Sequence, residues 1–150
     1  MKGPRELADP GVRWPRGEKK GMLMLQKLES MAVLPAKDLA RARAFYQDTL
    51  GFEAEEMPGG DGVLYRTGGG TSFLLYETDN AGSAKNTQLS WLSEDLDAEV
   101  ADLRGRGVVF AEYDFPGLKT ENGIATTEGM RTAWFLDTEG NILAVSERTA

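Results

Sequence analysis

The stretch that decides the fold runs from Val33 to Phe52 and reads VLPAKDLARARAFYQDTLGF. It continues a segment, 27–35, whose pattern predicts a strand. Asp38 then fits the N-cap of a helix, because its short carboxylate can accept a backbone N–H that no helical carbonyl reaches. Apolar side chains follow at helical spacing, and Gly51 is typical of a helix C-terminus. These apolar positions are Leu39, Ala42, Tyr46 and Leu50. The stretch therefore predicts a strand followed by a helix over about 38–50.

Three short strands are predicted after this helix, at 52–56, 63–67 and 71–77. The segments between them are rich in turn residues, with PGGDG at 58–62 and three glycines at 68–70. Residues 25–78 thus predict one β-α-β-β-β unit.

The same order of elements recurs 57 residues later. Asp95 is a second candidate N-cap, and a helix is predicted over about 95–106. The strands predicted around this helix are 87–92, 108–113, 131–137 and 142–147. Because element type, order and caps agree, we interpret 86–148 as a second module produced by duplication. The two modules form one domain, residues 25–150, joined by a short polar linker.

Residues 1–21 differ from the rest, since Pro, Gly and charged residues dominate and no apolar period appears. This pattern predicts a flexible N-terminal extension over 1–24, or translated sequence ahead of a start at Met22 or Met24. An arm that swaps onto a partner chain is the alternative.

Composition excludes several classes of function. The chain has 150 residues, no cysteine and no histidine, so disulfides, thiolate nucleophiles and Cys-ligated zinc are excluded. Its formal net charge of -7 argues against a nucleic-acid partner, which normally needs a basic stripe. No window is apolar enough for a membrane span, and the N-terminus has no secretory apolar core. We therefore expect a cytoplasmic protein that contacts neither nucleic acid nor membrane.

Three blocks of sequence resemble one known family. They are VLPAKDLARARAFY at 33–46 with LGF at 50–52, EDLDA at 94–98 with LRGRGV at 103–108, and WFLDTEGN at 134–141. Together they resemble the vicinal-oxygen-chelate superfamily, which includes glyoxalases, bleomycin-resistance proteins and dioxygenases. In the last block a threonine stands where that family usually has proline. The resemblance implies an α+β fold of two βαβββ modules, with a cupped mixed sheet and outer helices. It also implies a homodimer.

Members of this superfamily usually hold a divalent metal on the inner face of the cup. The resemblance puts Met31, Leu74, Gln88 and Ala144 at the four ligand positions, and a slip of one residue at Leu74 supplies no better donor. Divalent cations prefer carboxylate oxygens or imidazole nitrogens. We therefore expect no metal and no cofactor.

A pocket for a small molecule is expected on this inner face. Strand alternation and the resemblance suggest its lining: Met31, Val33, Leu74, Tyr76, Gln88, Ser90, Trp134 and Ala144. Gln88 could contact a ligand or be a buried amide satisfied by neighbouring strands. Trp134 could face the cup or belong to the ordinary core. The segment 114–129 is long for a hairpin connection and is a candidate lid, in which Lys119 is the one cation.

Three functions remain open from the sequence. The first is a metal-independent protein that binds a small organic molecule in an apolar, aromatic cup. The second is a metal-independent isomerase or lyase, with Glu77 or Glu147 as a general base. The third is a metal-dependent glyoxalase or dioxygenase whose ligands lie elsewhere. No catalytic residue can be named.

Overall fold

A computed structural model of the chain describes residues 24–150, so most of the predicted N-terminal extension lies outside the described residues. The helices are α1 Leu39–Ala44, which continues as a π-helical turn over Phe45–Thr49, and α2 Leu96–Gly105. The strands are β1 Ala32–Ala36, β2 Ala54–Glu56, β3 Gly62–Arg66, β4 Ser72–Glu77, β5 Thr87–Leu92, β6 Asp114–Phe115, β7 Leu118–Glu121, β8 Ile124–Thr127, β9 Met130–Leu136 and β10 Ile142–Arg148. No helix between residues 24 and 150 is long and apolar enough to cross a membrane.

The first module is a four-stranded sheet in the order β1-β4-β3-β2, with β1 parallel to β4 and the other pairs antiparallel. Both predicted N-caps are confirmed. Asp38 accepts the backbone N–H of Arg41, and Asp95 accepts that of Ala98, each at 3.0 Å. The strand predicted over 27–35 is wrong at its start, because Leu25–Lys27 form a 3-10 turn and pairing begins only at β1.

The second module is a six-stranded sheet in the order β5-β10-β9-β8-β7-β6. The prediction of a strand over 108–113 is wrong, because the structure gives only an isolated bridge between Phe110 and Phe135 there. The prediction of a long loop over 114–129 is also wrong, because β6, β7 and β8 occupy most of it. The physical reason is the pair Asn122-Gly123, whose φ values of 50° and 79° make a tight turn between β7 and β8. The segment proposed as a lid is therefore a paired extension of the sheet.

Side chains alternate between two environments along every central strand. Leu34, Phe73, Leu75, Leu143 and Phe135 point towards the helices and are almost completely buried. Their neighbours in sequence point to the opposite face of each sheet, which no helix within residues 24–150 covers. One continuous core on the helix side joins the two modules. The predicted arrangement of two modules with outer helices is confirmed.

The turn between β9 and β10, residues 137–141, locks the modules together, and we call it the clasp. Tyr46 of the first module donates its hydroxyl to Asp137 Oδ2 at 2.7 Å. Asn141 Nδ2 donates to the same oxygen at 2.7 Å and to the carbonyl of Pro35 at 2.9 Å. Asp137 and Asn141 thus both lie in this turn and both bond across the module boundary.

Glu139 of the clasp lies against the start of α1. Its carboxylate accepts the backbone N–H of Asp38 at 2.8 Å and the Arg41 guanidinium at 2.9 Å and 3.1 Å. Burial alone would raise the pKa of Glu139, but the hydrogen bonds from Arg41, Asp38 and Thr138 outweigh it and lower the pKa to about 2. The clasp thus provides an ionised carboxylate at the N-terminus of a helix, where negative charge is favourable.

Candidate functional site

The uncovered faces of the two sheets carry most of the residues that the sequence assigns to the pocket. Three of these residues lie on the uncovered face of the first sheet: Val33 on β1, and Leu74 and Tyr76 on β4. Each alternates along its strand with buried core residues. Val33 is 48% exposed, so this apolar surface is open to solvent. The strand alternation expected from the sequence therefore holds in the first module.

Trp134 dominates the uncovered face of the second sheet. Ala144 on β10 pairs with Trp134 on β9 and with Ser90 on β5. The indole nitrogen of Trp134 donates to Thr87 Oγ1 at 3.0 Å, so the ring extends across β10 towards β5. The small side chain of Ala144, which is 1% exposed, leaves room for this arrangement. Trp134 therefore lies on the face of the sheet that points away from the helices.

A second aromatic residue packs against the half-buried indole. Tyr113 contacts Trp134 edge to face, with ring centroids 5.6 Å apart and an interplanar angle of 80°. Phe115 in turn contacts Tyr113 at 5.8 Å and is 52% exposed. The sequence analysis missed Tyr113, because it placed this residue at the end of a strand that does not form.

A row of hydroxyl groups lies beside Trp134 on the same face. Ser146 Oγ is 3.0 Å from Thr132 Oγ1 and 3.3 Å from Ser90 Oγ, so the three hydroxyls form a chain across β9, β10 and β5. Of these three, the sequence analysis named only Ser90. The two-residue spacing from Ala144 and Trp134 could have identified Ser146 and Thr132. We call the uncovered surface formed by these residues the cup face: Val33, Leu74, Tyr76, Ser90, Thr132, Trp134, Ala144 and Ser146.

Gln88 has both ends of its amide bonded inside the protein. Its Nε2 donates to Asn141 Oδ1 at 3.0 Å, and its Oε1 accepts the backbone N–H of Ile142 at 3.1 Å. It lies where the β5–β10 register shifts between Ile142 and Leu143. These bonds attach Gln88 to the clasp, at the boundary of the two modules.

A cleft separates β1 from β5 at one end. Met31, just before β1, and Ser90, in the middle of β5, both line it. At the opposite end, Pro35 and Gln88 both bond to Asn141. The cleft has a volume of about 470 Å³ and an apolar wall that includes Phe73, Leu89, Trp91 and Leu92. The structure thus places Met31 and Ser90 in this cleft, with the other cup-face residues on the open sheets beside it.

The donors at the superfamily's metal positions are poor. Leu74 and Ala144 have no donor atom, Met31 offers a thioether, and the Gln88 oxygen already accepts a backbone N–H. Within residues 24–150 no group of three or more His, Cys, Asp or Glu side chains is arranged to hold a metal ion. These residues do not fit a divalent cation.

The two carboxylates considered as general bases lie away from the cup face. Glu147 accepts Arg131 Nη1 at 3.0 Å, and Arg131 also pairs with Asp97 at 2.8 Å. Glu77 ends β4 and is exposed. Neither carboxylate is held beside Trp134 or the hydroxyl row.

The comparisons with known proteins agree with this geometry. The profile of the family described as bleomycin resistance protein-like N-terminal matches residues 32–68. TnmS3, an antibiotic binding protein from Streptomyces sp. CB03234, is 24% identical over 85% of this chain and 100% of its own, with a TM-score of 0.61. No curated protein is significantly similar to this chain in sequence.

Two further solved structures share the fold. A glyoxalase/bleomycin resistance protein from Catenulispora acidiphila DSM 44928 is 25% identical over 82% of this chain and 100% of its own, with a TM-score of 0.62. A glyoxalase/dioxygenase from Nostoc punctiforme is 15% identical over 87% and 99% of the two chains, with a TM-score of 0.58. The chain therefore has the fold of the glyoxalase/bleomycin-resistance proteins, and the N-terminal profile match and these structural relatives are consistent with the vicinal-oxygen-chelate superfamily.

Proposed function

We propose that this protein binds a small organic molecule on its cup face without the help of a metal ion. The observation that carries the proposal is the half-buried indole of Trp134 on the cup face, which pairs with Ala144 across the strands and contacts Tyr113. Tryptophan exposes a large apolar ring at little conformational cost and offers a flat surface on which a planar ligand can stack. Apolar and aromatic walls with a few placed polar groups are the usual composition of small-molecule sites.

The hydroxyl row gives this face its polar component. Ser90, Thr132 and Ser146 each can donate and accept, so they can bond to carbonyl, hydroxyl or ether oxygens of a ligand. They carry no charge at any ordinary pH. The cup face therefore favours a largely neutral aromatic ligand with oxygen substituents over a strongly charged one.

The donor chemistry at the ligand positions supports a mechanism without metal. A structural or catalytic zinc needs at least three protein donors, typically anionic or imidazole. The positions at Met31, Leu74, Gln88 and Ala144 provide one neutral amide oxygen and one thioether. Holding the ligand by stacking and hydrogen bonding is the function that these residues can perform.

Sequestration of an antibiotic is the specific role that the structural relatives favour. TnmS3 is an antibiotic binding protein, and it aligns with this chain over its whole length. Such a protein needs a binding face but no catalytic group, and neither Glu77 nor Glu147 lies beside Trp134.

We also propose that two copies associate through the cup face. Four large apolar side chains on the strands are between 48% and 63% exposed: Val33, Leu92 and Phe115 on edge strands and Leu136 on β9. A second copy would shield this surface and turn an open face into an enclosed site. Light scattering is expected to give twice the 16.4 kDa of one chain, and a mass near 16.4 kDa at micromolar concentration would contradict dimerisation.

A thermal-shift screen against aromatic antibiotics and metabolites tests the binding proposal. A ligand that binds the native state raises the melting temperature by mass action. Hits are expected to persist in EDTA and to weaken about tenfold in Trp134→Ala, since stacking contributes about 0.5–1.5 kcal/mol beyond buried area. Val109→Ala is the matched control, because Val109 is also apolar and 85% exposed but lies outside the cup face.

Metal analysis tests the alternative that the protein holds a metal ion. Purified protein is expected to contain far less than one equivalent of Zn, Ni, Mn, Fe, Co or Mg, and EDTA is expected to leave its melting temperature unchanged. Stoichiometric metal that is lost on chelation together with binding would overturn the proposal and favour a metalloenzyme.

A further inference from the structure

The cleft between β1 and β5 lies between the free edges of the two sheets. β1 bonds only to β4 and β5 bonds only to β10 within residues 24–150, so each strand has one unpaired edge. At the clasp, Pro35 of β1 lies near Gln88 of β5, since both bond to this turn. At the other end, Met31 and Leu92 both line the cleft. The two edges therefore run in opposite directions and diverge from the clasp.

The backbone groups of β1 alternate between β4 and the cleft, because successive residues of a strand direct their N–H and C=O groups to opposite sides. The carbonyl of Ala36 accepts the N–H of Thr78, just after β4. The carbonyl of Pro35 instead accepts from Asn141 of the second module. Val33 lies two residues before Pro35, so its N–H and C=O face the cleft. A proline fits this edge, because no N–H is needed there for the sheet.

The backbone groups of β5 follow the same rule. The N–H of Ser93 bonds to the carbonyl of Ser146 on β10. Leu92 and Ser90 lie one and three residues before Ser93, so their backbone groups point away from β10 and towards the cleft. Unpaired groups on a strand edge are a template for another strand. Together with Val33, these residues offer both donors and acceptors on the two sides of the cleft.

The cleft has an uncharged lining. Its volume of about 470 Å³ lies within the usual range of ligand pockets, about 300–1,000 Å³. Apolar atoms come from residues such as Phe73 and Leu89. In the described part of the chain, no charged residue lines the cleft, and five residues contribute hydroxyl groups: Ser30, Thr67, Thr71, Ser72 and Ser90. A charged occupant would lose hydration there without gaining an opposite charge.

We propose that the cleft binds a short, uncharged peptide in extended conformation, as an additional strand between β1 and β5. The peptide backbone bonds to the free edges, which is how strand addition provides affinity in peptide recognition. Ser90 and Leu92 are two positions apart, so a peptide of three residues, about 10 Å long, spans them. The cleft adjoins the cup face at Ser90, and the proposal does not rest on the function proposed for that face.

Amide hydrogen exchange of the full chain tests the state of the two edges before any peptide is added. Leu34 and Trp91 serve as matched neighbours on the same strands, because their N–H groups face β4 and β10. The N–H groups of Val33, Ser90 and Leu92 are expected to exchange at least about tenfold faster than these two. Equally slow exchange at all five positions would show that another part of the chain or a second copy already fills the cleft. That result would overturn the proposal.

The probe is the capped peptide Ac-Thr-Val-Thr-NHMe, titrated into the full chain and followed by its amide NMR signals. The signals of Val33, Ser90 and Leu92 are expected to shift with a millimolar Kd, and their exchange is expected to slow. An analogue with an ester in place of the central amide lacks one donor and is expected to bind about two- to tenfold more weakly. Ac-Thr-Asp-Thr-NHMe brings a carboxylate into the cleft and is expected to bind at least about tenfold more weakly.

A pair of variants at Leu92 tests the same bonds from the protein side. Leu92→Pro removes the N–H that faces the cleft, and proline is tolerated on a sheet edge where the N–H has no partner in the sheet. Leu92→Ala is the matched control, because it also shortens the side chain but keeps the N–H. Leu92→Pro is expected to bind the peptide about two- to tenfold more weakly than Leu92→Ala. The ester analogue tests the loss of a backbone donor without any change to the protein.

Two further results would overturn the proposal. One is the lack of any shift at Val33, Ser90 and Leu92 at peptide concentrations well above millimolar, in protein whose dispersed spectrum shows that it is folded. The other is equal affinity for the amide and the ester peptides, because binding would then not use the peptide backbone. A shift confined to the indole signal of Trp134 would place the peptide on the cup face. It would reject the cleft as the site and leave the proposed function intact.

Discussion

The hydrogen bond from Tyr46 to Asp137 gives the sharpest test of how the two modules are held together. Tyr46 is 0% exposed, and its hydroxyl is 2.7 Å from Asp137 Oδ2. The ring also stacks on Tyr65 at 5.6 Å and packs on Phe73 at 5.4 Å. Tyr46→Phe keeps this aromatic packing and removes only the donor. The measured loss therefore reports the hydrogen bond rather than a cavity.

The magnitude follows from the acceptor. A hydrogen bond to a charged group contributes about 1.5–3 kcal/mol to stability. Asp137 keeps its three other donors, which are the backbone N–H groups of Glu139 and Asn141 and the side-chain amide of Asn141. We therefore expect a loss of about 1.5–3 kcal/mol rather than the larger cost of an unpaired buried charge. For a chain of this length the melting temperature should fall by about 5–9 °C.

Urea unfolding and calorimetry measure this loss. Tyr76→Phe is the control, because Tyr76 lies on the uncovered face and its hydroxyl has no partner within residues 24–150; it should cost less than about 0.5 kcal/mol. A double variant, Tyr46→Phe with Asp137→Asn, should lose less than the sum of the two single changes, because the residues are in contact. Equal losses for Tyr46→Phe and Tyr76→Phe, or strict additivity in the double variant, would refute the clasp as a source of stability.

Three further predictions concern the clasp, the turn that the sequence analysis missed, and the cup face. The pKa of Glu139 is lowered to about 2, below the ordinary value near 4.5, so its contribution to stability is fully present above about pH 4.5 and is lost as pH falls towards 2. Glu139→Gln should therefore reduce the loss of unfolding free energy between pH 4.5 and pH 2. An unchanged pH dependence in this range would contradict the assignment. Gly123 has φ +79°, and a Cβ there would lie 2.9 Å from Phe110 Cβ. Gly123→Ala should therefore lower the free energy of unfolding, measured in urea, by about 1–3 kcal/mol. An unchanged free energy of unfolding would mean that the turn relaxes freely. Ala144→Leu would fill the space beneath Trp134 and should abolish ligand-induced thermal shifts. It should also lower the free energy of unfolding by about 1–3 kcal/mol. Unchanged thermal shifts would show that the indole is not the binding surface.

The local features of the fold could be predicted because each depends on residues close in sequence. The N-caps at Asp38 and Asp95 need only a carboxylate three residues before the N–H that it accepts. The alternation that puts Leu74 and Trp134 on uncovered faces needs only the two-residue period of a strand. The superfamily resemblance supplied the assembly of the strands into two βαβββ modules with outer helices, which no local pattern contains.

The remaining features depend on distant pairs. Asn122-Gly123 is a strong hairpin signal that the sequence does contain, but its flanks are polar and short, so the segment was taken for a loop. The hydroxyl row joins residues up to 56 positions apart, and Gln88 is satisfied by residues 53 and 54 positions away. Whether Gln88 would meet a ligand or a neighbour could not be decided before these strands were placed side by side.

The clasp also has a consequence for the order of events during protein synthesis. Glu139 meets the Asp38 backbone across 101 positions of the chain, and Asn141 meets Pro35 across 106. A ribosome releases the first module long before it has made these partners. In the nascent chain, β1 and the start of α1 therefore lack their hydrogen bonds to the clasp until residues 137–141 emerge. The clasp can form only after residues 137–141 are made, so a truncation just before 137 should remove both the clasp and β10, leaving the second sheet incomplete.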